Sequence, residues 1–507
     1  LVQARTMLAL LRGLTESGNR ELSSIRFIAR NASEARIEQI GGLSAEGIKA
    51  RALEVQRAIY SIGASLVPPD IEDLPRAAVD PYQPFECIQE VEIDWMGSKL
   101  RVRPVAVFDD VHALHPDQFE QIFTALARRE IHFGRWLMMR LDALSPHAVF
   151  SSAKNLATHN LQPERDFIDV FMQGGLDRNQ ERRRFRTMAA DMADRYLPRV
   201  EAFRSRNATS FKRLVPDEPP RLSEAKMKEV SAVSDREQRR LKITPSRRTT
   251  IDGLVADYFV NSKSGDKEAE VRIATARILM ARYANRIKDK QVSLFEVYDP
   301  EPSKPLSINA GIAEGARLHL HHLTGRAFHY GFENLCDASN ENAELFLQLA
   351  GALVARMETQ AIRGRALPLA ADAQQAVLSE KAVEIMDRWA FPYARRVREL
   401  VDSAAADCLE TSLKPNARLG YGANAVGVLE EEIRELLDKD GELAKILKYA
   451  VAYGAIEVTR NYEQGGKDWC LIELGGVACL AHGLTLNRGG FLERDVGYLR
   501  EKSAQNA

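Results

Sequence analysis

Apolar residues recur at helical spacing through the first part of the chain. Met7, Leu8, Leu10, Leu11 and Leu14 form one face, Gly18-Asn19 ends it, and a second helix is expected over 45–62 before Val67-Pro68-Pro69 breaks it. From Tyr82 the period changes. Phe85–Trp95 alternates loosely and is rich in β-formers, and Met96-Gly97-Ser98-Lys99 turns the chain back. Val105-Ala106-Val107-Phe108 is then an unbroken apolar run between Pro104 and Asp109-Asp110. Such a run reads as a strand buried on both faces, as in a parallel sheet. An amphipathic helix is expected over His115–Arg129, with Phe119, Ile122, Phe123 and Leu126 on one face. Gly134 closes it, Arg135–Leu144 reads as a second buried strand, and Phe167–Met172 as a third. Strand, helix, strand, loop, strand predicts an α/β sheet with crossovers.

Beyond this sheet the pattern is helical. Arg182–Arg206 is strongly basic with a stripe of Phe185, Met188, Met192, Tyr196 and Leu197, and its Arg182-Arg183-Arg184 start suits a phosphate, an acidic neighbour or solvent. Pro216–Pro220 and the polar run to Ser246 read as a linker. Thr250–Tyr283, Ala310–Leu323 and Ala343–Glu358 are expected to be helical, with a loop at Asp299–Pro305. The last part has a different grammar. Helices over Asp372–Trp389, Leu429–Leu437 and Glu442–Tyr453 precede Ala455–Arg460, a polar turn, and Trp469–Leu474. Helices followed by two short strands around a Gly-Gly turn predict a winged helix whose wing is Glu463–Lys467.

Composition narrows the classes. The 507 residues suffice for several domains, and 28% charged against 45% hydrophobic is ordinary for a globular chain. A net charge of -1 gives no global pull toward DNA or a membrane surface, so any nucleic-acid surface must be local. The five cysteines are scattered without a CxxC pair, which suits reduced thiols in a cytoplasm. No apolar run approaches membrane-spanning length and no signal peptide is seen, so no membrane partner is expected. The chain starts at Leu1 inside what reads as helix, and further natural sequence before it is expected.

The chemistry centres on Asp109 and Asp110. Carboxylates leaving a buried parallel strand sit where α/β sheets bind ligands, and this is the Walker B arrangement: one acid for Mg²⁺, the next for water. The alternatives are a helix cap, or a metal-dependent nuclease completed by Asp142, Asp166 and Asp169. Arg140 and Asp142 end the next strand, either as polar sensors of phosphate or as a surface ion pair. Arg128, Arg129 and Arg135 are candidates for a finger into a neighbouring subunit. His319, His321, His322 and His329 form the densest histidine cluster, but no acid completes a metal set on the same helix. Lys445, Lys448, Arg460 and Lys467 of the winged helix could meet DNA phosphates, with Glu442, Glu457, Glu463 and Asp468 diluting their charge.

Four stretches carry a family resemblance: VAVFDDVHALHPDQFEQIFTAL, LQPERDFIDVFMQ, CDASNENAELFLQLAGALV and WCLIELGGVACLAHGLTLNRGGFLE. On these the chain resembles the origin-recognition-type AAA+ ATPases of prokaryotes, a P-loop group close to the STAND ATPases, many of whose bacterial members sit in anti-phage and mobile-element loci. The resemblance implies an α/β P-loop core with a parallel sheet, a helical lid domain and a C-terminal winged helix. The expected division is a helical segment 1–75, the core 76–213, a linker 214–248, the lid 249–365 and the winged helix 366–507. It implies ATP and Mg²⁺ as ligands, with Asp109 on the metal, Asp110 polarising water, and Arg140 and Asp142 toward the nucleotide. The implied function is an ATP-dependent switch or assembly factor in a nucleic-acid transaction, with DNA, a protein partner or a second copy as companions. The alternative is an inactive scaffold of the same fold.

Three departures bear on activity. No GxxxxGK[ST] loop occurs in the sequence; Gly466-Lys467 lies in the wing turn. Either the loop lies upstream of Leu1 or the ATPase is degenerate, with Leu1–Leu14 as the helix after a decayed loop. Asp110 stands where the family more often has Glu, and Glu344 where alignment on Asn342 would place an arginine.

Overall fold

The computed structural model describes residues 1–18, 20–30, 32–65, 67, 69–150, 165–168, 170, 178–260, 268–288, 306–414, 422–439, 441–487 and 489–504. They divide into two compact units: residues 1–143 with 165–168, and 144–150 with the chain from 170 onward.

The first unit holds two small sheets. Strands β1 (Arg26–Ala29), β2 (Ile88–Trp95) and β3 (Ser98–Val102) form an antiparallel sheet, while β4 (Val105–Phe108) and β5 (Gly134–Leu137) pair in parallel, Val105 opposite Gly134 and Phe108 opposite Leu137. Helices α1 (Val2–Arg12) and α2 (Ala45–Gly63) pack on each other, and α3 (Pro116–Leu126) forms the crossover from β4 to β5. Met7, Leu11, Phe27, Ile48, Phe85, Val91, Ala106 and Phe133 share one core. Residues 1–75 are therefore no separate segment, because β1 pairs with β2 and α1 supplies the same core. Glu86, nearly buried, fastens this unit by accepting from Arg36 and Arg128 at 2.8 and 2.7 Å.

The parallel pair departs from the expectation of a strand buried on both faces. Ala106 is buried, but Val105 and Val107 are 57% and 53% exposed, and Trp136 and Met138 on the same face are exposed too. A two-stranded sheet buries one face on its own helices; among the described residues nothing covers the other. Half of the third strand expected over Phe167–Met172 lies outside the described residues, as does all of the loop expected at Asp299–Pro305.

The second unit is mainly helical: α4 (Pro146–Phe150), α5 (Arg178–Tyr196), α6 (Glu224–Arg240), α7 (Pro245–Val260), α8 (Ala269–Lys288), α9 (Ala310–Thr324), α10 (Phe332–Ala338), α11 (Ala343–Ile362), α12 (Ala371–Asp387), α13 (Ala394–Ser412), α14 (Glu430–Asp438), α15 (Glu442–Ala452), α16 (Gly476–His482) and α17 (Val496–Lys502). The expected linker is a correction. Residues 224–240 are helix because Ala, Glu, Lys and Arg are strong helix formers even where few apolar residues mark a face, and Ser223 caps the start by accepting from Lys226 N–H. Helices α6 to α9 enclose Val230, Ile251, Val255, Phe259, Leu279, Met280 and Leu320. In α11, Phe346, Leu349, Leu353 and Met357 recur at helical spacing and are fully buried, each side chain contributing about 1.5–3 kcal/mol.

Strand β6 (Ala423–Leu429) follows α13, and α14 and α15 precede a hairpin of β7 (Ile456–Gln464) and β8 (Lys467–Leu474). A last strand, β9 (Gly490–Glu493), completes the sheet order β7-β8-β6-β9. The hairpin turn is Gly465-Gly466, both at positive φ (64° and 73°), as a two-residue turn matching strand twist requires. β9 pairs in parallel with β6 and covers its edge.

Candidate functional site

The residues that bring β4 and β5 abreast also bring their exits abreast. Past the strands, Met138 N–H donates to the Phe108 carbonyl at 2.8 Å and Val111 N–H to the Met138 carbonyl at 3.2 Å. Asp109 and Asp110 lie between these ties, and Arg140 and Asp142 follow directly on the neighbouring strand.

Asp109 Oδ1 accepts from Asp110 N–H at 2.9 Å, and Asp110 adopts a left-handed backbone (φ 54°, ψ 34°) that non-glycine residues rarely hold. Both acids are exposed; His112 Nδ1 stands 3.8 Å from Asp110 Oδ1. Arg140 donates through Nη2 to Asp142 Oδ2 at 2.9 Å, and Asp142 is mostly buried while Arg140 is half exposed. The helix-cap alternative for the acids fails on geometry. Helix α3 is capped by His115, whose Nδ1 accepts from Asp117 N–H while Gln118 accepts from His115 N–H; the acids lie five or more residues before the cap. Asp110 stands at the N-cap position of the short 3-10 turn Val111–Ala113, but among the described residues neither acid's side chain makes a helix-capping bond.

The other candidates fall into place around this pair. Arg128 is engaged by Glu86, and Arg135 donates to the Arg128 carbonyl at 2.9 Å, so these two brace the unit; Arg129 is exposed. For the nuclease alternative, Asp166 lies 3.6 Å from Arg165 and Asp169 is outside the described residues; among those described, no three His, Cys, Asp or Glu converge as a metal-holding group. A Mg²⁺ ion needs less than that, since it commonly takes one or two carboxylates and completes its shell with phosphate oxygens and water. Asp109, with one oxygen engaged by its own neighbour and its side chain at the surface, fits that role.

In the second unit the basic start of α5 meets the acidic neighbour: Arg186 bridges Glu333 and Asp337 at 2.9 Å, and Arg182 reaches Glu341. Asn342 caps α11, and Glu344 lies in its first turn, where a negative charge suits the helix dipole. Each histidine of the cluster is committed to a backbone carbonyl: His319 to Ser412, His321 to Arg326, His322 to Gly483 and His329 to Leu484, at 2.7–3.0 Å. Burial lowers the pKa of all four, to about 4 for His319, where Arg277 adds repulsion, and to about 3 for His329. They are neutral joints between α9, its following loop, and the C-terminal part.

The four cations expected at a DNA surface are not equivalent. Lys445 is exposed on α15; Lys448 is half-buried with its ammonium 4.6 Å from the Tyr449 ring, and Lys467 sits at the turn 5.5 Å from the Trp469 ring. Arg460 is internal: it pairs with buried Glu430 and donates to the carbonyl of Phe150 on α4, which packs against α15. Its charge is spent inside the fold, which corrects its expected place at a DNA surface. Residues 236–248, expected as linker, carry a helix-start signal at Thr244-Pro245-Ser246, where Thr244 Oγ1 accepts from Arg247 N–H at 3.3 Å. Compared with known proteins, the chain matches no family model, no curated protein and no solved structure.

Proposed function

We propose that this chain is an AAA+/STAND-like, ATP-dependent switch or assembly factor acting in a nucleic-acid transaction, with its nucleotide site at the exits of β4 and β5. The observation that carries the reading is the juxtaposition of Asp109-Asp110 with Arg140-Asp142 at the carboxyl ends of two parallel strands, with the cap of the next helix supplied by other residues. Asp109 would hold Mg²⁺, which supplies charge neutralisation on the phosphates when bound. Asp110, held in its left-handed turn, would orient and deprotonate the attacking water, and Arg140, steadied by Asp142, would face the phosphate charge. The switch has a covalent route: two residues, Leu144 and Ser145, join the turn after β5 to α4, which packs on α14 and α15. The order α13, β6, α14, α15, β7, β8 supports a winged-helix reading of that region, and the resemblance suggests bacterial anti-phage or anti-plasmid defence as the setting.

Phosphate release from Mg²⁺-ATP by the wild-type protein and by Asp110→Asn tests this. Removing a water-orienting carboxylate is expected to slow turnover by about 100-fold or more; equal turnover in the two proteins would overturn the ATPase reading. The second reading, a non-hydrolysing scaffold that binds a protein or DNA, is favoured by the absence of a GxxxxGK[ST] loop from the 507 residues.

A further inference from the structure

Most arginine clusters of this chain are neutralised where they stand. Arg101 and Arg103 face Glu92 and Glu90, Arg182 and Arg186 face α10, and Arg395, Arg396 and Arg398 face Glu399, Glu442 and Asp387. The corner between α6 and α7 is different. Residues 236–248, REQRRLKITPSRR, carry six basic side chains against one acid, Glu237.

The local fold turns that surplus outward. Arg236, Arg239 and Arg240 lie at i, i+3 and i+4 on the last turns of α6 and so share a face. Lys242 follows in a left-handed turn (φ 55°), with buried Ile243 as the anchor that fixes the corner. Helix α7 then starts at Pro245, its positive end at the same corner. Arg247 stacks 4.7 Å over the buried ring of Tyr283, Arg248 pairs with Asp252 at 2.9 Å, and Arg240 with Glu237. These brace the corner. Arg236, Arg239 and Lys242 are exposed and have no acidic partner among the described residues.

We propose that this corner is a docking surface for the phosphate backbone of duplex DNA, with Arg236, Arg239 and Lys242 as the contacting cations. The proposal rests on the nucleic-acid part of the reading above and gives it a site. With a net charge of -1 the molecule has no general attraction for a polyanion, so a local, unneutralised surface is what such binding requires. Duplex rather than single strands is the occupant because residues 236–250 contain no aromatic side chain on which a splayed base could stack. The contacts are to phosphate, so binding is insensitive to base sequence.

The test is fluorescence anisotropy of a labelled 30-base-pair duplex with the full chain, without nucleotide, over a series of KCl concentrations. Loss of three phosphate contacts in R236E/R239E/K242E is expected to flatten the slope of log affinity against log salt by about three, and to weaken binding at least tenfold at 100 mM KCl. The neutral variant R236Q/R239Q/K242Q, monitored for an unchanged melting curve, should show the same flattening. An unchanged slope in both variants, tighter binding to single strands than to duplex, or loss of binding in K445E/K467E but not in the corner variants would overturn the proposal. Asp110→Asn should bind DNA like the wild type, so failure of the nucleotide site and failure of this surface are read separately.

Discussion

Arg460 shows how one side chain changes meaning between sequence and fold. On a strand beside a Gly-Gly turn it reads as a wing cation, yet its guanidinium and Glu430 are both nearly buried, and Glu430 also accepts from Asn461 N–H at 3.2 Å. Removing one partner of a buried pair leaves the other charge uncompensated, which costs about 3–5 kcal/mol. Arg460→Ala should therefore lower the urea midpoint sharply and leave the salt dependence of DNA binding intact. Wild-type stability with weakened DNA binding would restore the surface role. Nothing local in the sequence distinguishes Arg460 from Lys467, because the difference is made by Glu430 and Phe150, distant in the chain. Arg326 is another such case, fully buried between Glu268 and Glu270, which precede it by more than fifty residues.

At the scale of elements, periodicity was a good guide wherever an element buries a face against its own unit. The helices at Ala310–Thr324, Ala343–Ile362 and Ala371–Asp387 and the hairpin around Gly465-Gly466 lie within a few residues of where apolar spacing and turn chemistry put them. It failed in two physically distinct ways. Helix α6 has too little apolar surface for a pattern, so propensity and its Ser223 cap were the signals to follow. The run Val105–Phe108 looks buried on both faces because both sets of alternating residues are apolar, but coverage belongs to what surrounds the sheet. Val107→Thr should consequently change stability by no more than about 0.5 kcal/mol, as surface substitutions do, whereas a polar group forced into a covered face costs about 1–3 kcal/mol. A loss in the larger range on chemical denaturation would mean that this face is covered in solution. The acid pair itself was legible as sequence; that His115, not the acids, caps α3 was visible only in the fold.

For the molecule as a whole, the histidine joints make a prediction about pH. The fold holds His319, His321, His322 and His329 neutral, their pKa values lowered first by burial, whereas in the unfolded chain they return to about 6.5. Below that value the unfolded chain takes up protons that the fold refuses, so stability falls as pH drops from about 6.5 and is unaffected by these groups above it. The denaturation midpoint should drop between pH 7 and pH 5, before most carboxylates titrate, and the drop should shrink in His329→Gln. Equal midpoints at the two pH values would show that the rings carry protons in the fold. The described helices include none long and apolar enough to cross a membrane, and the acid pair and the basic corner lie in different compact units.

The central claim is that the exits of β4 and β5 form a Mg²⁺-nucleotide site. Its most direct measurement is calorimetric titration of ATP into the wild-type protein and Asp109→Ala, each with and without Mg²⁺. The proposed role of Asp109 predicts that the wild type binds ATP more tightly when Mg²⁺ is present and that Asp109→Ala loses this difference. Binding that is absent from both proteins, or whose Mg²⁺ dependence is the same in both, would contradict it.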